Sequence, residues 1–245
     1  FCEILDIRQL NAETYDVVVR FPETAAPGQF IHVLCGGDTL LRRPISICDA
    51  EPGKLRFTFA ARGEGTRLLA RKKRGDTLDI LAPLGNGFNV TKKGDGVPVV
   101  VGGGIGVFPL YFLSKCFGGA AEAVLGFRCA EAVLMAEEFA AVCAATELAT
   151  DDGSLGFHGF AADLLAARLA RGGVTSVYAC GPAPMLRAVK RVAEERRVYC
   201  QLSLEQRMGC GIGACAVCVC NSGGEFVKVC QKGPVFDAGE VDFDA

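Results

Sequence analysis

Near the C-terminus the chain reads Met208-Gly209-Cys210-Gly211-Ile212-Gly213-Ala214-Cys215-Ala216-Val217-Cys218, and Cys230 follows. The first three thiols match the spacing that wraps a plant-type 2Fe–2S cluster. The interleaved glycines allow the tight turns that aim backbone N–H groups at sulfur. A segment built this way carries electrons one at a time. A structural zinc site is the competing reading, but such sites pair two close Cys-x-x-Cys knuckles or use His. The chain has only two histidines, His32 and His158, and neither is near in sequence. Cys220 lies two residues past Cys218 and competes with Cys230 as fourth ligand, since alternate residues of an extended segment share a face. Cys230 is preferred because a ligand from a second segment closes the loop.

The chain has 13 cysteines, and the others are scattered, many in apolar runs (Cys35, Cys48, Cys116, Cys143, Cys180). That pattern suits free thiols in a reducing compartment rather than a disulfide framework. With 245 residues, half of them hydrophobic, the chain can fill two domains and a small lobe. A net charge of −2 without a basic stripe argues against a nucleic-acid partner. No signal peptide is visible at Phe1-Cys2-Glu3-Ile4. Residues 96–114 carry no charge, but Gly102, Gly103, Gly104 and Gly106 with Pro98 and Pro109 suit a buried strand, a loop and a helix better than a membrane span.

The first ninety residues read as short strands punctuated by turns, among them Val17–Phe21, Gln29–Leu34 and Leu55–Phe59. They predict a small antiparallel barrel interrupted by a helix at Thr66–Lys72. After Lys92-Lys93-Gly94-Asp95, strands at Val97–Val101, Glu122–Phe127, Thr146–Thr150, Ser176–Cys180 and Val198–Leu204 alternate with helices. That alternation predicts a parallel sheet covered on both faces. The expected domains are a barrel over 1–93, an α/β domain over 94–204 and a cysteine lobe over 205–245.

Four further motifs suit ligands. Arg43-Pro44-Ile45-Ser46 offers a planar fork for a phosphate and a hydroxyl, or is a turn with a surface Arg. Gly63-Glu64-Gly65-Thr66 opens a helix, where free N–H groups attract anions and Thr66 can cap. Gly102-Gly103-Gly104-Ile105-Gly106 follows a buried strand and suits a pyrophosphate, although Val107 breaks the dinucleotide fingerprint. Cys180-Gly181-Pro182 ends another strand, where Gly181 lets a ligand approach and Cys180 is a packing thiol. Asp151-Asp152-Gly153-Ser154 reads as a solvated turn, and His32 and His158 receive no role.

Together with Leu84-Gly85-Asn86-Gly87-Phe88, these motifs resemble the ferredoxin–NADP reductase superfamily. The cysteine lobe, ending Val229-Cys230-Gln231-Lys232-Gly233-Pro234-Val235-Phe236, is similar to one branch of it. That branch is the electron-transfer subunits of NAD-dependent, type B dihydroorotate dehydrogenases. The resemblance implies an FAD-binding barrel, with Arg43, Pro44, Ile45 and Ser46 along the flavin. It implies backbone contacts from Thr58, Phe59 and Ala60, and a pyrophosphate at Gly65 and Thr66. The nicotinamide would meet Gly102, Gly103, Gly104, Gly106, Cys180, Gly181 and Pro182. Cys210, Cys215, Cys218 and Cys230 would hold the 2Fe–2S cluster. It further implies a cytoplasmic heterotetramer with an FMN-containing catalytic subunit of pyrimidine biosynthesis, electrons running FMN, cluster, FAD, NAD. A sulfhydrogenase or ferredoxin–NADP oxidoreductase subunit is the rival within the superfamily. A zinc-stabilised nucleotide module without redox activity is the rival outside it. Arg128 leaves NAD against NADP open.

Overall fold

A computed structural model describes residues 1–37, 39–91 and 96–243. The expected 93/94 division lies outside the described residues. Six strands close into an antiparallel barrel: β1 (Cys2–Gln9), β2 (Thr14–Arg20), β3 (Phe30–Leu34), β4 (Arg43–Glu51), β5 (Lys54–Ala60) and β6 (Thr77–Leu84), in the order β1-β2-β5-β4-β3-β6. A short helix, α1 (Glu64–Leu69), follows β5. The interior is filled by inward-facing apolar residues such as Ile4, Val17, Val19, Ile31, Val33, Ile47 and Phe57. Asp16, buried in the wall, is paired by Arg8 at 2.9 Å and Arg56 at 2.8 Å and accepts a hydrogen bond from Thr58. A buried carboxylate is tolerated because it is fully paired.

The second body is a seven-stranded sheet. It contains β7 (Val97–Gly103), β8 (Glu122–Phe127), β9 (Ala145–Thr150), β10 (Phe157–His158), β11 (Val174–Cys180) and β12 (Tyr199–Ser203). These are all parallel and run β10-β9-β8-β7-β11-β12. The connecting helices are α2 (Val107–Cys116), α3 (Ala136–Val142), α4 (Ala161–Ala170) and α5 (Ala183–Glu195). Side-chain alternation along β7 explains the two layers: Val99 and Val101 enter one core, Val100 the other. All three are fully buried, each contributing roughly 1.5–3 kcal/mol by leaving water. Helix α2 clamps this body to the barrel. Its Lys115 ammonium pairs with Asp49 of β4 at 2.6 Å, and Arg56 of β5 lies over the Tyr111 ring.

The remaining chain forms a hairpin, β13 (Val219–Ser222) with β14 (Glu225–Lys228), then α6 (Val229–Lys232) and β15 (Val235–Asp237). Strand β15 returns to the large sheet and pairs antiparallel with β12. Three residues carry too little periodicity to announce that return. Among the described residues the lobe has no core of its own. Cys218, Val229, Cys230, Phe236 and Val241 pack into the same cluster as α4 and α5.

Candidate functional site

A cavity of about 290 Å³ opens where barrel, sheet and lobe meet. Arg43, Pro44, Ile45 and Ser46 of β4, Thr58, Phe59 and Ala60 of β5, Thr66 of α1, Gly106 and Cys180 all line it. Arg43-Pro44-Ile45-Ser46 therefore begins a strand rather than forming a turn. Pro44 is tolerated because it stands near the strand's start, opposite His32. Gly65 is buried beside Arg43: a Cβ there would sit 3.1 Å from its guanidinium. Thr66 lies three residues inside α1, whose N-cap is Gly63. Its hydroxyl exchanges 3.0 Å hydrogen bonds with the Gly63 backbone.

The glycines after β7 divide their work. Gly106 rests on the end of β11, where a Cβ would lie 2.3 Å from the Cys180 carbonyl oxygen. Gly103 and Gly181 admit the Met185 side chain, and Gly103 also touches Pro182. Gly102 faces Val107. Only Gly104 combines a left-handed φ of +53° with open space above it, which leaves its backbone available to a ligand. Gly102, Gly103, Gly104, Gly181 and Pro182 do not line the cavity; Gly181 faces a neighbouring hollow. Burial pushes the Cys180 thiol up to about 12, so it stays protonated and acts as apolar wall. In the Asp151–Ser154 turn, Asp152 accepts from both the Ser154 N–H and hydroxyl, and Ser154 accepts from the Ala130 N–H. That turn ties two strand ends together.

Sequence reasoning missed Ile105, Phe108, Glu205, Gln206 and Met208, which also line the cavity. An apolar Ile105 inside a glycine loop, 38% exposed, was the one available signal.

Met208 leads directly into the cysteine loop. Gly211 (φ +73°) and Gly213 (φ +82°) turn the chain so that N–H groups point inward. The Cys215 N–H donates to Cys210 Sγ at 3.3 Å, the Gly213 N–H to Cys230 Sγ at 3.2 Å, and the Cys230 N–H to Cys218 Sγ at 3.5 Å. The N–H groups of Cys215 and Ile212 pull the Cys210 thiol down to about 6, whereas burial pushes Cys230 up to about 11. Among the described residues no three metal-ligating side chains converge on a single ion. Backbone-to-sulfur hydrogen bonds link the four cysteines as two pairs, Cys210 with Cys215 and Cys218 with Cys230. A 2Fe–2S cluster needs that arrangement, since each iron takes two protein ligands. Cys220 stands apart in the hairpin, facing the hollow shared with Gly181.

The lobe meets the barrel region at several points, Gly28 and Gly85 among them, and two others bear on the site. The Asn86 side chain donates to the carbonyls of Gln231 (3.2 Å) and Lys232 (3.0 Å), and its N–H to Gly233 (2.7 Å). Leu84-Gly85-Asn86-Gly87-Phe88 is thus the seat on which the lobe docks. The second contact is His32, distant in sequence yet packed directly against Gly211. Burial pushes its imidazole pKa down.

A flavin-reductase fold joined to a cysteine lobe defines an oxidoreductase that carries electrons. The comparisons agree. Residues 205–242 match the family model for the iron–sulfur cluster binding domain of dihydroorotate dehydrogenase B. The electron transfer subunit of dihydroorotate dehydrogenase B (NAD(+)) from Geobacillus kaustophilus (strain HTA426) is 47% identical, covering 96% of this chain and 95% of that protein. Its counterpart from Bacillus mycoides (strain KBAB4) is 41% identical, covering 97% and 96%. The solved NADH-dependent reduced ferredoxin–NADP oxidoreductase superposes with a TM-score of 0.89 at 30% identity, covering 100% of this chain and 90% of that one. Ferredoxin-NADP+ reductase from Plasmodium falciparum, at 12% identity and a TM-score of 0.63, shares the fold alone over 82% of this chain and 95% of that one. The chain belongs to the family of electron transfer subunits of NAD-dependent dihydroorotate dehydrogenase B.

Proposed function

We propose that this chain holds FAD in the central cavity and a 2Fe–2S cluster on Cys210, Cys215, Cys218 and Cys230. Bound there, the two groups supply two-electron and one-electron chemistry, linking a dihydroorotate-oxidising partner to NAD⁺. One observation carries the reading: Met208 lines the central cavity only two residues before Cys210, so both sites share one short segment.

The protein's own groups bind and orient. Arg43 offers a planar fork, fixed beside Gly65, to a phosphate at the mouth of the cavity. Ser46 and the backbone of Thr58, Phe59 and Ala60 supply polar contacts to the flavin ring, and Phe108 and Pro109 exclude water from it. Thr66 and Gly65 border the pyrophosphate. Gly104 offers exposed backbone to the nucleotide, while Gly102, Gly103, Gly106, Cys180, Gly181 and Pro182 hold the two strand ends that frame the nicotinamide. Two cysteine pairs, with N–H groups already directed at their sulfurs, fit the cluster without rearranged topology. Cys230 serves as fourth ligand and Cys220 does not, because Cys230 is the thiol paired with Cys218.

The domain division follows as 1–93 for flavin, 94–204 for nucleotide and 205–245 for the cluster. The partner is an FMN-containing catalytic subunit, the assembly a heterotetramer and the compartment the cytoplasm. Free thiols throughout the chain support a reducing environment.

Visible spectroscopy with iron and sulfide analysis of anaerobically purified protein tests this, with Cys210→Ser alongside. Flavin bands plus broad cluster absorption, the latter lost in the variant, are expected. A colourless protein carrying zinc would overturn the reading.

A further inference from the structure

His32 is fully buried in β3, yet neither ring nitrogen makes a well-aligned hydrogen bond, the backbone acceptors of Cys210 and Arg42 only facing the ring. A buried polar ring without a partner is costly, about 1–3 kcal/mol for each unsatisfied group, and calls for a reason. Its surroundings supply one. Gly211, between Cys210 and the rest of the cysteine loop, packs against the Nδ1 side of the ring. A Cβ on Gly211 would sit 2.5 Å from His32 Nδ1. The backbone acceptors of Cys210 and Arg42 face the same ring. In register, His32 stands opposite Pro44, inside the segment that lines the cavity. One side chain in the barrel wall thus touches the cysteine loop and backs the cavity-lining strand.

Resting on the cluster reading above, we propose that His32 is a positioning residue for the iron–sulfur site. From the rigid wall of a closed barrel it supports the Cys210–Gly211 backbone, and a ring N–H directed at the Cys210 carbonyl fixes where the Cys210 thiolate stands. A loop rich in glycine has little stiffness of its own, so its geometry has to come from the element beneath it. Outer contacts of this kind orient ligands and commonly change metal retention about 10–100-fold. Gly211 is glycine for the complementary reason: its left-handed φ turns the loop, and the missing Cβ lets the ring approach.

The test compares His32→Leu, which fills the space without a donor, with His32→Asn and His32→Gln, which place an amide N–H near Nδ1 and Nε2. The full chain is purified anaerobically. Cluster retention against an iron chelator, the electron paramagnetic resonance spectrum of the reduced cluster and its midpoint potential are read, with flavin content measured in parallel. His32→Leu should keep its flavin, lose iron about tenfold faster or more, and show shifted g-values and a shifted potential. At least one of the amide variants should restore the parental spectrum. His32→Leu indistinguishable from the parent in all three readouts would overturn the proposal. So would equal damage in all three variants with loss of flavin as well, which would mean that His32 only fills space. A parent protein without any cluster would instead sink the functional reading itself.

Discussion

Gly106→Ala makes a sharp trial of how the two strand ends frame the cavity. On backbone grounds the change should be harmless. Gly106 has φ −66° and ψ −8°, helical values that alanine adopts readily, and Gly→Ala in a helical turn commonly stabilises by up to about 1 kcal/mol. Packing reverses that sign. The added Cβ would lie 2.3 Å from the Cys180 oxygen, 2.5 Å from its carbonyl carbon and 2.7 Å from the Gly181 Cα. Comfortable carbon–oxygen contact begins near about 3.3 Å. The turn at Cys180 must therefore retreat by about 1 Å, and because every obstructing atom is backbone no rotamer can absorb the change. Forced overpacking of this kind costs about 3 kcal/mol, more than the helical gain returns. The displaced turn borders the cavity, and a misplacement of about 1 Å between reacting partners lowers a rate about 100-fold. Urea unfolding followed by flavin fluorescence reads the first effect, and stopped-flow reduction of the bound flavin by NADH reads the second. Gly119→Ala, in the turn after α2, is the control: its Cβ meets nothing, and its positive φ costs about 1–2 kcal/mol without pressing on Cys180. A Gly106→Ala protein with parental stability and parental flavin reduction would refute the reasoning.

Other outcomes follow from the same geometry. Asn86→Ala removes two side-chain hydrogen bonds to the lobe and should cost about 1 kcal/mol, seen as faster amide hydrogen exchange over residues 229–234 with flavin binding intact. Unchanged protection there would show that the lobe is seated elsewhere. Cys230→Ser should lose the cluster while Cys220→Ser keeps it, and iron analysis of the two variants decides between them. Arg43→Ala should weaken FAD binding about 10–100-fold, the equivalent of one lost charge-assisted contact, without altering the far-ultraviolet circular dichroism. Parental affinity would remove Arg43 from the phosphate.

Much of the architecture was legible because strong local signals coincided with long-range ones. Val97–Val101 is a continuous apolar run, as a strand buried on both faces must be, and it is the central strand β7. The segment Glu122–Phe127 read from sequence is β8 to the residue. The cysteine spacing was legible because cluster chemistry dictates it. What stayed hidden was tertiary. Arg43-Pro44-Ile45-Ser46 looks like a turn until its pairing with β3 is seen. Nothing local separates glycines that clear a path for Met185 from the one at Gly104 that leaves space open. His32 could not be assigned because its partner is 179 positions away in the chain, at Gly211. The Asn86 contacts span a similar separation, and no periodicity encodes them.

The return of β15 to the sheet has a consequence for damaged molecules. Every proposed cluster ligand precedes β15, and β12 precedes them all, so the cysteine segment is an excursion between two hydrogen-bonded neighbours. When β15 lets go, the backbone groups of Tyr199–Ser203 become an unpaired edge strand, the surface from which proteins aggregate. A collapse of the lobe that frees β15 would therefore do more than silence one redox centre: it would uncover an adhesive edge and mark the chain for disposal.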